Sequence, residues 1–277
     1  MTTWKDAQTR TVDVGGVAFA YRELGPPSDV PVVFLHHLTA VLDDWDPRVV
    51  DGIAARHRVI AFDNRGVGAS GGAVPTTVEQ MGTDAIAFIR ALGLKQVDLF
   101  GFSLGGGVAQ MVALQAPELV RRMILAGTGP RGGGGIDKMA TIVGSAYAKA
   151  AVTLSDPRHY LFFPRTHEGK GAAADYLGRL RERTRDRDKK ISNQARIAQI
   201  RAIRHAGQCR PDDLSRILAP VLVANGDHDL MVDSAHSVDM ARRLPNSQLT
   251  IYPDSGHAGV FQHHHTFVPE ALQFLAD

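Results

Sequence analysis

A chain of 277 residues, 44% hydrophobic and 22% charged, can bury a large core, and its composition excludes a disordered or fibrous polymer. The formal charge of +2 is small for this length, and no basic patch is interleaved with aromatics, so nucleic acid is not an expected partner. The lone cysteine, Cys209, excludes an internal disulfide, and neither a signal-peptide core nor an apolar run long enough for a bilayer is present; a cytoplasmic protein with no membrane association is expected.

Taken in order, the chain opens with a hairpin pattern from Thr11 to Leu24, turning at Gly15-Gly16. Apolar runs near 32–36, 58–63, 97–102, 123–126, 221–224 and 249–252 then alternate with helical stretches. That alternation predicts an α/β fold with a mostly parallel, doubly wound sheet, whose ligands bind beyond the carboxyl ends of the strands.

The third of these runs is followed by Gly101-Phe102-Ser103-Leu104-Gly105 and then by the helical stretch from Val108 to Leu114. Strand, tight turn and helix are the context a Gly-x-Ser-x-Gly nucleophile elbow needs, with the flanking glycines leaving room for a sharply turned backbone. The alternative role for Ser103 is a helix N-cap. A serine hydroxyl needs a base and a group to orient that base. Of twelve histidines, His257 is best placed, in a loop where a strand-like run breaks at Pro253. Its orienting acid is expected to be Asp229, just past the run Val221–Ala224, rather than Asp227 two residues earlier. The order Ser, Asp, His is one of three known triad orders.

Between the runs ending at Ala126 and starting at Val221 lies a stretch too long for one crossover helix. The division expected is a core of residues 1–130 and 212–277 with a helical cap inserted at 131–211. Tyr147, Tyr160, Phe162 and Phe163 are expected either on the inner face of the cap as substrate-binding residues or in its own core. The basic run from Gly178 to Lys190 reads as a solvated helix face laced with ion pairs, with an anion-binding or homo-oligomer surface as the alternative. His36-His37 and His263-His264-His265 lack zinc-site spacing, and the glycine runs at 105–107 and 132–135 fit no nucleotide template, so no metal and no cofactor are expected; Gln262 to His265 should begin the last helix.

Four segments together resemble the alpha/beta-hydrolase family over nearly the whole chain. They are Val32 to Leu38, which resembles its oxyanion loop; Ala61 to Ser70, which resembles its Asp-x-Arg-Gly-x-Gly-x-Ser turn; Gly226 to Asp229; and Ser255-Gly256-His257. The resemblance implies that the N–H groups of Leu38 and Leu104 form the oxyanion hole, and for Leu104 the unpaired first N–H groups of a helix give an independent reason. His37 departs from the family pattern, where glycine is usual, and is expected either to pack in the loop or to narrow and hydrogen-bond the acyl site. The elbow is similar to those of cofactor-free haloperoxidase-type esterases and perhydrolases. The expected activity is therefore a serine hydrolase acting on a small-molecule ester or lactone. C–C bond hydrolysis and acyl transfer use the same triad, and a ligand receptor on the same fold is the non-enzymatic alternative.

Overall fold

The structure, a computed structural model, describes residues 2–276. Arg10–Val14 (β1) and Val17–Leu24 (β2) form the expected hairpin, with Gly15 and Gly16 at φ of 61° and 85°. A two-residue hairpin turn requires that left-handed backbone, and glycine enters it without steric cost. Six strands follow: Val32–Leu35 (β3), Val59–Phe62 (β4), Val97–Phe102 (β5), Val120–Ala126 (β6), Val221–Gly226 (β7) and Ser247–Tyr252 (β8). All join one eight-stranded sheet in the order β1-β2-β4-β3-β5-β6-β7-β8. β2 runs antiparallel to β1 and β4, and every other neighbouring pair is parallel. β3, β4, β5 and β7 are buried from end to end, as strands covered by helices on both faces must be.

Pro47–Ala54 (α1), Val78–Ala91 (α2) and Leu104–Gln115 (α3) make the first crossovers. The chain passes from β3 outward to β4, then back across β3 to β5, and continues in that second direction to β8. The loops leaving β3 and β5 therefore diverge from adjacent strands, and the crevice at their carboxyl ends is the switch point where ligands bind in sheets of this kind.

Between β6 and β7 the chain forms Met139–Thr153 (α4), Arg158–Leu161 (α5), His167–Arg179 (α6) and Asn193–Gln208 (α7). Val143, Phe162, Tyr176 and Ile203 from this stretch belong to the same contiguous apolar core as the sheet. The basic run departs from expectation. Helix α6 stops at Arg179, and residues beyond Leu180 are irregular, because no apolar periodicity there offers a face to bury. Its arginines instead bond to the sheet side of the molecule. Arg179 donates to both oxygens of the buried Asp46 at 3.0 and 2.7 Å, Arg183 donates to the carbonyls of Lys5 and Ala7 at 2.9 Å, and Arg187 donates to Asp43 at 3.2 Å.

Ser234–Arg243 (α8) links β7 to β8, and the chain closes with Gly259–Gln262 (α9) and His264–Ala276 (α10). Among the described residues no helix is long and apolar enough to cross a membrane.

Candidate active site

Strand β5 ends at Phe102 and α3 begins at Leu104, so Ser103 alone carries the turn, at φ 55° and ψ −117°. Such a backbone is costly for a residue with a Cβ and survives only where its surroundings enforce it. The enforcement is visible. A Cβ on Gly105 would lie 1.9 Å from the carbonyl oxygen of Leu35, and one on Gly101 would lie 2.5 Å from that of Gly105, so the start of α3 presses against β3 through glycine alone. Thr128 Oγ1 donates to the Ser103 carbonyl at 2.8 Å. The Ser103 side chain makes no capping hydrogen bond to α3, which removes the bond that an N-cap role rests on.

Asp229 and His257 leave β7 and β8, and both side chains are fully buried. His257 Nδ1 lies 2.7 Å from Asp229 Oδ2, which places the ring proton on Nδ1 and leaves Nε2 as an acceptor. The other carboxyl oxygen, Oδ1, accepts from the N–H groups of Met231 and Val232 at 2.8 and 3.0 Å. Phe102 and Phe162 pack on the imidazole, with ring centroids 5.0 and 5.4 Å away. His257 Nε2 makes no hydrogen bond among the described residues, and the residue lines the cavity that Ser103 also lines. Asp227 faces elsewhere. Its carboxyl group accepts from the N–H groups of Ser255 and Asp254, bracing the loop that carries His257.

Two N–H groups adjoin the elbow. Neither that of Leu104, at the first position of α3, nor that of Leu38, in the loop after β3, donates a hydrogen bond among the described residues. His37 beside it is 5% exposed, and its Nδ1–H donates to the Leu38 carbonyl at 2.8 Å. Its ring meets Phe102 and Phe162 edge-on at 5.3 and 5.2 Å. Burial lowers its pKa to about 4, so at neutral pH the ring is uncharged; Nε2 is buried without a hydrogen-bond partner among the described residues, and the residue lines the cavity. Deeper in, burial lowers His36 to about 3, while burial and the adjacent Asp188 hold Asp63 well above the usual carboxyl range. With His36 uncharged at neutral pH, the 4.0 Å approach of its Nε2 to Asp63 Oδ1 is not an ion pair. Asp63 accepts instead from the N–H groups of Leu42 and Ala69, both at 3.1 Å, fixing the turn after β4 against the loop after β3.

Ser103 opens onto two spaces. One is a cavity of about 530 Å³ whose wall includes Leu38, Tyr147, Arg158, Phe162, Arg196 and His257. The other is a pocket of about 60 Å³ lined by Leu104, Met111, Met139, Ile203 and Val232 among others. Of the ring residues proposed from sequence, Tyr147 and Phe162 reach the larger cavity and Tyr160 does not. Tyr160 faces the end of α4, its hydroxyl bonded to those of Thr153 and Ser155, with Arg165 over its ring. Phe163 turns into the core against Tyr176. Sequence reasoning missed Arg158, Arg196, Val143 and Met231, none of which belongs to a motif.

Among the described residues one group brings three metal-type ligand atoms together, Glu79, His205 and Cys209, all within 4.8 Å of one another. Arg131 already pairs with the Glu79 carboxyl group. Neither histidine run noted in the sequence forms such a group.

Residues 30–264 match the family model of the alpha/beta hydrolase fold. A solved alpha/beta hydrolase fold protein from Chitinophaga pinensis is 36% identical, with a TM-score of 0.95 over 99% of both chains. The non-heme chloroperoxidase of Streptomyces lividans is 29% identical over 94% of this chain and 96% of its own. The enol-lactonase from Burkholderia xenovorans shares the fold at a TM-score of 0.76 and 20% identity, covering 97% of this chain and all of the other.

Proposed function

Since this chain belongs to the alpha/beta hydrolase fold family, we propose that it is a serine hydrolase cleaving a carboxylic ester or lactone through an acyl-enzyme. The observation that carries the reading is the pair formed by Asp229 and His257 Nδ1, which leaves Nε2 free to accept a proton, on a residue that lines the same cavity as Ser103 with its strained backbone. In this reading Ser103 Oγ attacks the carbonyl carbon as its proton passes to His257 Nε2. Charge on the carbonyl oxygen is stabilised by the N–H groups of Leu38 and Leu104. The carbon–oxygen bond to the alcohol then breaks, and His257 returns the proton to the leaving oxygen. Water, deprotonated by the same imidazole, releases the acid and restores Ser103. Asp229 keeps the imidazole in the tautomer that both transfers need. We further propose that residues 131–211 act as a cap, with Tyr147 and Phe162 contacting the substrate.

A second reading draws on the name of the Streptomyces lividans relative. Hydrogen peroxide taking the place of water at the acyl-enzyme would give a peracid from the same residues.

A fluorophosphonate probe should label Ser103, and Ser103→Ala or His257→Ala should each abolish turnover of short-chain nitrophenyl esters, because triad members act as a unit. Added peroxide should yield peracid only if the second reading holds. A folded protein that does not label removes the nucleophile and with it both readings.

A further inference from the structure

The larger cavity is ringed by charge, and its charges are not evenly satisfied. Asp43 accepts from Arg22 at 2.8 Å and Arg187 at 3.2 Å, and Asp44 accepts from Arg158 at 2.6 Å. Asp156 accepts from two nitrogens of the same Arg158 at 2.9 and 2.7 Å, and Asp188 accepts from the N–H groups of Leu42 and Lys189. Arg158 and Arg187 are thus matched by acids within the protein. Arg196, near the start of α7, is not: among the described residues no carboxyl group lies within ion-pair distance, and its Nε is buried without an acceptor. Its guanidinium carbon lies 5.1 Å from the centre of the Tyr147 ring, and its nitrogens donate to no group among the described residues, which leaves them free for a planar anion.

The two spaces around Ser103 also assign the two sides of a bond. His257, which must protonate the leaving oxygen, borders the larger cavity and not the smaller pocket. The alcohol side therefore lies with Arg196, and the acyl side lies in the pocket beside Leu104. At about 60 Å³ that pocket falls between the ~30 Å³ share of one water molecule and the ~150 Å³ that admits benzene, so it suits a short apolar acyl group. His37, which lines the same cavity, is uncharged at neutral pH and offers an anionic end no ion pair.

We infer that the substrate is an ester of a short acyl group with an alcohol or phenol that carries a carboxylate, and that Arg196, seated on Tyr147, binds that carboxylate. The inference rests on the hydrolase reading above. It identifies Arg196 as a specificity residue that the sequence gives no reason to choose.

The test compares 4-acetoxybenzoate with its neutral methyl ester in wild type, Arg196→Met and Arg196→Lys. The ratio of kcat/KM between the two esters cancels any loss of folded enzyme. Arg196→Met should lower the preference for the anionic ester roughly 10- to 100-fold, the range for a lost hydrogen bond to a charged group, with Arg196→Lys in between. An unchanged ratio overturns the assignment. Replacing the acetyl by a hexanoyl group should lower kcat/KM, and equal rates overturn the placement of the acyl group. Calorimetric titration with 4-hydroxybenzoate tests the anion site without turnover: it should bind wild type more tightly than Arg196→Met, and equal affinity refutes the site. If neither ester is cleaved while short-chain nitrophenyl esters are, the substrate inference fails; if none is cleaved, the hydrolase reading fails while the titration still decides the role of Arg196.

Discussion

Holding a non-glycine residue at a φ of 55° costs on the order of 1–3 kcal/mol, and at Ser103 the surrounding packing must supply it. The same economy of placement governs the acid. Asp227 and Asp229 are two residues apart on one loop, yet only Asp229 reaches the imidazole, while Asp227 bonds to the N–H groups of Ser255 and Asp254. Asp229→Asn should leave the protein folded and lower kcat by about 10⁴, because an amide in that place no longer selects the Nδ1–H tautomer. Asp227→Asn, which only loosens the loop, should cost far less. Steady-state kinetics on the two variants decide between them, and the reverse ranking would assign the acid to Asp227.

At the scale of elements, the contact that positions the elbow is α3 against β3, and glycine sets its distance. A methyl group at Gly105 would meet the Leu35 carbonyl oxygen at 1.9 Å, so Gly105→Ala must push the helix off the strand. Urea unfolding should show a loss of about 1–3 kcal/mol or more, the range for overpacked cores. Gly107 is the control within the same helix. A Cβ there meets only Val78 Cγ1, at 3.4 Å, so Gly107→Ala should be neutral or gain up to about 1 kcal/mol from helix propensity. An equal gain at the two positions would mean that helix propensity, not the approach of α3 to β3, governs the elbow.

Across the whole molecule, the buried histidines couple folding to pH. His37 has a pKa lowered to about 4 in the native state, against about 6.5 for an unfolded imidazole. Between these values the unfolded chain binds a proton that the native state does not, so stability rises with pH through this window and is fully present above it. His36 acts with the same sign down to about 3. Asp63, raised by burial, has the opposite sign: its native proton is lost as pH rises through its shifted pKa, and stability falls there. Subtracting the unfolding free energy of wild type from that of His37→Asn at each pH isolates one imidazole. The variant should gain on wild type by up to about 1.4 kcal/mol per pH unit as pH falls from 6.5 toward 4. Parallel curves would mean that His37 is protonated in the folded protein.

What was legible in the sequence was what neighbouring residues decide among themselves. Apolar runs of strand length placed the parallel sheet, Gly15-Gly16 placed the hairpin turn, and the glycines around Ser103 marked a turn that only a residue forced into strain can make. The order of Ser103, Asp229 and His257, each just past a strand, put them at one end of a parallel sheet. Where the sequence reading departed from the structure, the deciding partner lay far along the chain. The basic run after Arg179, with no apolar face to bury, is irregular, and its arginines bond to Asp43 and to the carbonyls of Lys5 and Ala7, more than a hundred residues away. Tyr160 and Phe162 are two residues apart in similar company, and the one-turn helix α5 sends Phe162 to the cavity and Tyr160 to the hydroxyls of Thr153 and Ser155. Arg196 differs from Arg158 and Arg187, the other arginines of the cavity wall, in lacking an acid, and that depends on which charges the fold brings together there. Period and turn chemistry are local and can be read along a line, whereas the pairing of charges is settled only when the chain closes on itself.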